Sequence, residues 1–521
     1  MSQSTSAPRE QPVEPRKVLA FFAMVLGMFM AILDIQIVSA SLAEIQAGLS
    51  ASADEISWVQ TSYLIAEVVM IPLSGFLGRL FSTRWLFTAS AAGFTIASIF
   101  CGFSTSIEVM IFFRALQGFI GGGMIPSVFA ASFSIFPPSK RPIIQPLMGL
   151  VATMAPTLGP TLGGYLSDLF SWHWLFFINV IPGVIVTIAA ASLIDFDRPD
   201  FSLFERFDWW GLIFMALFLG SLEYVLEEGP TKDWFEDANI VTFTIVSAAG
   251  ALLFFARTFT AAQPIVDLSA FRNRNFATGS AFSFVLGIGL YGLTYVYPVY
   301  LGRVRGYSSL QIGETLFLTG LCQFMAAPIV GRLSAKIDPR LLLAIGLTTF
   351  SAGTFAASYI TKDWAFGELI IPQVFRGVGL MFSFVPINNL SLGTLSPSQM
   401  KGGAGLYNLM RNLGGAVGLA LINTVLNHRI DLHLARLHEQ INPANVAAQS
   451  WLDALTQKFA DFADQAGPMA LKQLALMVRQ QATVMAFGDL FLLLTVLFML
   501  MLPFLAFVEK PKAAAPAGGE H

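Results

Sequence analysis

The chain of 521 residues is 55% hydrophobic and only 12% charged, with a formal net charge of −3 and a mean hydropathy of +0.66. Soluble domains carry about 25% charged residues, so the composition excludes an ordinary soluble protein, and the lack of a basic excess argues against a nucleic-acid partner. Two cysteines, Cys101 and Cys322, lie far apart in apolar runs and offer neither a disulfide framework nor a metal cluster.

A polar leader, residues 1–17, precedes fourteen apolar runs near 18–41, 57–76, 85–104, 107–132, 144–165, 173–194, 208–226, 239–258, 276–299, 310–331, 341–360, 367–391, 404–426 and 482–508. Runs of about 20 residues cross the roughly 30 Å hydrocarbon layer as α-helices. The first is too long for the apolar segment of a cleaved signal. The predicted fold class is therefore an all-α polytopic membrane protein with fourteen transmembrane helices. His428, His433 and His438 recur every five residues, which scatters them around a helix, so no metal site is predicted.

Positive residues in short loops favour the cytoplasm. With the N-terminus inside, eighteen Lys and Arg fall in inner loops and tails, among them Arg9, Arg16, Lys17, Arg79, Arg84, Lys140, Arg340, Lys401, Lys510 and Lys512. Short outer loops hold four: Lys232, Arg303, Arg305 and Lys362. Both termini are thus expected in the cytoplasm. One outer connection, 427–481, is long and predicted helical, because Trp451, Leu455, Phe459 and Phe462 form an amphipathic stripe. It is read as covering the outer mouth or lying on the membrane surface, with docking to another protein as the alternative.

The chain repeats itself. GFLGRLFSTRWLF (75–87) after the second helix pairs with GRLSAKIDPRLLL (331–343) after the tenth, RALQGFIGGGMIP (114–126) with VFRGVGLMFSFVP (374–386), and APTLGPTLGG (155–164) with RNLGGAVG (411–418). Internal repeats of this kind mark transporters. The expected organisation is a cytoplasmic leader 1–17, a six-helix bundle 18–194, a linker with two inserted helices 195–275, a second six-helix bundle 276–508 that includes the outer connection 427–481, and a cytoplasmic tail 509–521.

These motifs resemble the major facilitator superfamily, and within it the 14-helix drug:proton antiporters of EmrB/QacA type. LDIQIVSASL resembles the family's first-helix signature, with Gln36 where Thr is usual. RALQGFIGGG matches the fourth-helix signature through Arg114, Gln117 and Gly118, and LGPTLGGYLSDLFSWHWLFFINVIPG (158–183) resembles the antiporter signature of the fifth helix. IVDLSAFRNRNF (265–276) resembles the lead-in to helix nine. Arg79 departs from the pattern by standing where much of the superfamily has Asp. The resemblance implies a major facilitator fold with two six-helix bundles plus two inserted helices, proton coupling by the first-helix acid and the helix-four Arg, and no cofactor beyond the proton gradient.

A charge near the bilayer centre costs about 2.5 to 3.5 kcal/mol on insertion scales, so each one needs a partner or a task. Asp34 lies six residues before the outer end of its helix and Arg114 seven into the fourth, depths of about 9 and 10 Å at 1.5 Å per residue. They are predicted to face one cavity and to pair there directly or through water, protonation of Asp34 freeing Arg114; the alternative is a static ion pair holding two helices together, with Asp34 simply near the headgroups. Glu67, about 16 Å deep, shares a stripe with Gln60 and Tyr63 and is the second candidate proton carrier. Substrate contact is assigned to Gln60, Tyr63, Gln117, Glu223, Tyr291, Tyr295, Asn388, Tyr407, Asn408 and Arg411, with Arg376 and Asp489 as weaker candidates. Gly118, Gly159, Gly163 and Gly164 let helices approach closely, and Pro160 with Pro156 removes helix donors.

No stretch fits the phosphate-binding loop G-x-x-x-x-G-K-[ST], which excludes an ATP-driven pump within this chain. The expected function is proton-driven efflux, by alternating access, of hydrophobic or amphipathic molecules across the cytoplasmic membrane. For an organism with two membranes, the resemblance implies a membrane-fusion adaptor and an outer-membrane channel as partners. A proton-coupled metabolite importer and a non-transporting membrane enzyme or sensor are the competing readings.

Overall fold

Within a bilayer every backbone polar group must find its partner internally, and every regular element among the described residues is helical. The computed structural model describes residues 13–442 and 444–509. Arg9, Lys510, Lys512, most of the leader and nearly all of the tail lie outside them.

Helix α1 (Pro15–Ala40) leads through short α2 (Leu42–Leu49) and α3 (Ala53–Ile56) into α4 (Trp58–Leu80) and α5 (Ser82–Gly102). The fourth predicted span is split into α6 (Ile107–Gly121) and α7 (Met124–Ile135) at the glycine run 121–123. Then come α8 (Arg141–Leu169), a single turn α9 (Trp174–Phe177), and α10 (Val180–Leu193). The inserted pair is α11 (Trp209–Glu228) and α12 (Ala238–Thr260). The second set is α13 (Arg274–Arg303), α14 (Ser309–Ser334), α15 (Pro339–Ala357), α16 (Phe366–Ser391), α17 (Met400–Gln440), α18 (Val446–Lys458) and α19 (Ala466–Leu500).

Thirteen helices among the described residues are long and apolar enough to cross a membrane. The remaining predicted span is α8, whose prolines, glycines and threonines lower its hydropathy; its 29 residues still extend about 43 Å at 1.5 Å per residue. It runs unbroken through Pro156 and Pro160. Along its length it lies on α14, with Gly331 against the Pro142 carbonyl at one end and Gly313 against Thr161 at the other.

The repeat in sequence recurs in packing. A methyl group on Gly118 of α6 would overlap the Tyr63 carbonyl oxygen of α4, and one on Gly377 of α16 would sit 2.7 Å from the Thr319 carbonyl oxygen of α14. Likewise Gly159 of α8 abuts Gln36 of α1, and Gly414 of α17 abuts the Phe284 backbone of α13. Gly163 also touches α1, at the Ile37 carbonyl, and Gly164 is buried in α8. Close approach of this kind needs a residue with no side chain on the contact face.

The inserted pair is tied together where Asp208 caps α11 by accepting from the Gly211 N–H at 3.1 Å and meets Arg257 of α12 at 2.8 Å. Beyond the membrane, α17, α18 and α19 form a small helical cap around Leu455, Ala470, Leu474 and Val478. Leu455 and Phe459 of the predicted stripe pack there, whereas Trp451 and Phe462 are exposed. The cap outlasts the apolar runs because its helices carry a small core of their own.

Candidate functional site

The face at which α1 begins is called here the leader face, and the opposite one the far face. Asp34 and Arg114 are both fully buried, and Arg114 Nη1 donates to Asp34 Oδ2 at 2.6 Å. The other carboxylate oxygen accepts from Asn179 Nδ2 at 2.6 Å and Gln117 Nε2 at 3.2 Å. Arg114 also donates to Gln117 Oε1 at 2.8 Å and, through Nε, to the Val59 carbonyl at 3.1 Å. The Tyr63 ring lies 4.3 Å from its guanidinium carbon, a cation–π contact. Asn179 is itself held by Ser98 at 3.1 Å.

This centre departs from the expectation of a shared cavity. The pair is direct and buried: amides, a backbone carbonyl and the Tyr63 ring surround it, and the second guanidinium nitrogen, Arg114 Nη2, has no hydrogen-bond partner among the described residues. Tyr63 and Gln117, assigned above to substrate contact, belong to this buried network. Asn179 and Ser98 were missed; the signal was a lone amide in the apolar run 173–194.

The cavity lies next to it. One chamber of about 60 Å³ is bounded by Gln36, Gln60, Glu67, Glu223, Glu227, Tyr291 and Asn412. A second of about 230 Å³ shares Gln36, Gln60 and Tyr291 and continues past Tyr295, Ser39 and Pro160 toward the far face. Tyr291 donates to Asn412 at 3.4 Å and Tyr295 to Asn423 at 2.7 Å. Glu67 is 2% and Glu223 5% exposed. Tyr63 and Glu67 are one turn apart on α4, so a single helix face connects the cavity to the buried pair.

Four predicted contacts lie elsewhere. Asn388, Tyr407, Asn408 and Arg411 are buried between the bundles, where Arg411 donates to Asn408 and faces the rings of Phe129 and Phe384 at 5.1 and 5.7 Å. They are not among the residues bounding either chamber. Both amide atoms of Asn388 and Nη1 of Arg411 are buried there without a hydrogen-bond partner among the described residues, and sequence could not separate the two settings, since a polar group within an apolar helix reads alike in a core and on a cavity wall. Arg376 is buried against Thr294 at 2.9 Å. Asp489 of α19 meets His433 at 2.7 Å and Arg429 at 3.6 Å, both on α17.

At the leader face α4 and α17 are held together, while a crevice of about 860 Å³ opens at that level between α8 and α14. Lys401 of α17 donates to the Gly78 carbonyl at 2.7 Å and pairs with Asp197, whose carboxylate accepts from the Thr83 N–H at 3.1 Å. Gly75 of α4 meets the Gly402 backbone of α17 at the same level.

The family model described as Major Facilitator Superfamily matches residues 24–419. A protein of Acinetobacter baumannii, the colistin resistance protein EmrB, is 40% identical over 94% of this chain and 96% of its own length. The chain belongs to the Major Facilitator Superfamily. Within it, the multidrug export protein EmrB of Escherichia coli is 30% identical over 98% of this chain and 99% of its own. The fatty acid resistance protein FarB of Neisseria gonorrhoeae is 32% identical over 96% and 98%. Among solved structures, the human organic anion transporter TETRAN shares the fold at a TM-score of 0.56 and 14% identity, covering 93% of this chain and all of that one. The chain is accordingly a transporter of the superfamily rather than an enzyme, and a multi-pass protein of the inner membrane. Superfamily members generally need no cofactor.

Proposed function

We propose that this superfamily member exports hydrophobic or amphipathic compounds, drugs among them, in exchange for protons. The names of the full-length relatives, multidrug export and colistin resistance, support the direction and the cargo. The observation that carries the coupling is the Asp34–Arg114 pair buried one helix turn from an acid-lined cavity. A buried pair of this kind is stable only while both charges are present. Protonation of Asp34 breaks it and leaves Arg114 seeking another acceptor, which biases the helices α1, α4 and α6 toward a different packing. Glu67 on the cavity wall then passes protons between cavity water and the pair, with Tyr63 between them.

In this reading the leader face is cytoplasmic, and the cavity is turned toward the outside. Outside protons load Glu67 and Asp34, the bundles rock, and release inside resets the carrier after cargo has been taken up. The outer cap formed by α17, α18 and α19 is the surface that a membrane-fusion adaptor would meet, with an outer-membrane channel beyond it. Importer, enzyme and sensor readings are weaker, because the full-length relatives carry names of export and resistance.

The latch between α4 and α17 carries a prediction. Asp197→Asn removes the anion that Lys401 and Thr83 share, so the cytoplasmic ends of α4 and α17 are expected to part more often. Hydrogen–deuterium exchange of the purified protein should rise over 78–84 and 400–405, while the far ends of the same helices stay protected. Unchanged exchange at both segments would remove the latch from the account. The proposed function itself is tested in everted vesicles: addition of a fluorescent lipophilic cargo should be followed by uptake that collapses when the proton gradient is dissipated.

A further inference from the structure

The inserted pair of helices was read from sequence only as an insert between the two bundles. In the structure α11 packs against α4 of one bundle and α17 of the other. Trp58 of α4 stacks on Tyr224 at 5.4 Å, and Thr61 donates to Glu228 at 3.3 Å. Just past α11, Trp234 Nε1 donates to Thr424 of α17 at 2.9 Å. The helix therefore closes the far half of the gap between α4 and α17, and the face it turns inward carries Glu223 and Glu227, one turn apart, into the chamber that holds Glu67.

These three carboxyl groups differ from their neighbours. Asp34 meets Arg114, Asp208 meets Arg257, Glu228 meets Lys232, and Asp489 meets Arg429 and His433. Among the described residues Glu67, Glu223 and Glu227 have no ion-pair or hydrogen-bond partner, although Glu67 and Glu223 are more than nine-tenths buried. Charges withdrawn from water without a counter-charge are costly; Arg114 and Arg411 lie close enough to act on Glu67, whereas among the described residues no cation of the protein acts on Glu223 or Glu227. Tyr291 adds an aromatic face beside the acids, and Leu64, Val68 and Leu419 complete the chamber with apolar surface.

We propose that α11 is a wall of the transport cavity and that Glu223 and Glu227, with Glu67, make the cavity select lipophilic organic cations. This rests on the transport reading for its purpose but concerns binding alone. Electrostatic attraction from the carboxylates and the ring quadrupole recognise the charge, and the apolar wall recognises the body that carries it. The relatives' names, which range from colistin to fatty acid, leave the sign of that charge open.

The test is equilibrium binding to the purified full chain in nanodiscs, corrected with empty nanodiscs, for tetraphenylphosphonium and for neutral triphenylphosphine oxide of similar size. The wild type should prefer the cation by at least about tenfold. That preference should weaken as pH falls, because protonation of the acids removes the attraction. Glu223→Gln and Glu227→Gln should each lower the preference several-fold, the double variant should bring it close to one, and Glu223→Asp should retain most of it. Thermal denaturation of each variant shows that the fold is intact. A wild type that binds both compounds alike, or neither, overturns the proposal, as does a folded double variant that still prefers the cation. A chain that selects the cation but fails to transport it against a gradient contradicts the proposed function and leaves the wall and its selectivity standing.

Discussion

Asp34→Asn is expected to abolish proton-driven transport and to destabilise the protein at the same time. The substitution keeps the shape but removes the charge facing Arg114 Nη1 at 2.6 Å, and Asn179 and Gln117 are already donors to the same group. Arg114 is left buried with a carbonyl and an amide oxygen as acceptors, and removing one partner of such a pair costs about 3 to 5 kcal/mol. Arg114→Gln should cost a similar amount. Combining them removes both charges, so the double variant should recover much of the lost stability, giving a coupling energy of about 3 kcal/mol in a double-mutant cycle over SDS unfolding. Transport distinguishes the two readings of the pair. If Asp34 carries the proton, the stable double variant still fails to move cargo against a gradient. A static ion pair predicts that transport returns with stability.

The second large effect is steric. Gly118→Val is expected to prevent assembly of the first bundle. A first side-chain carbon at that position would overlap the Tyr63 carbonyl oxygen and sit 3.0 Å from Tyr63 Cα, both backbone atoms that no rotamer change can move. Relief requires α6 to back away from α4, which draws Arg114 off both the Tyr63 ring and Asp34. Overpacking alone costs about 1 to 3 kcal/mol, and loss of the buried pair adds to it. The yield of monodisperse protein after extraction should fall sharply, with Gly118→Ala intermediate. Gly367→Ala and Gly467→Ala are the controls, since nothing lies within 4 Å of either added carbon. Normal yield and melting temperature for Gly118→Val would show that the contact between α4 and α6 is not needed.

Several of these features were legible before any coordinates. Apolar length alone located the spans, and the paired motifs around Gly118 and Gly377 anticipated matching contacts in the two sets of helices. Counting residues from the helix ends put Asp34 and Arg114 at one depth, because helical rise is fixed and the membrane gives every helix the same reference plane. The limits have physical causes too. Polarity ends the apolar run near 426, but α17 continues to Gln440 because its last turns pack on α18 and α19. Glu227 lies one residue past the apolar run 208–226 and so went unnoticed, and only the lodging of α11 between α4 and α17 turns it inward. Asn388, Tyr407, Asn408 and Arg411 satisfied the same pattern as Gln60 and Tyr291, and which of these faces a chamber depends on contacts between bundles that no local pattern encodes.

The exchange of protons for cargo is the claim on which the rest depends, and its direct measurement is proton movement driven by cargo alone. Proteoliposomes are loaded with tetraphenylphosphonium and a lumenal pH dye, the membrane potential is clamped, and dilution then creates an outward cargo gradient with no imposed pH difference. The account predicts acidification of the lumen as protons enter against departing cargo, and its absence with Glu67→Gln or Asp34→Asn. Lumenal alkalinisation, or acidification that survives both substitutions, would contradict it.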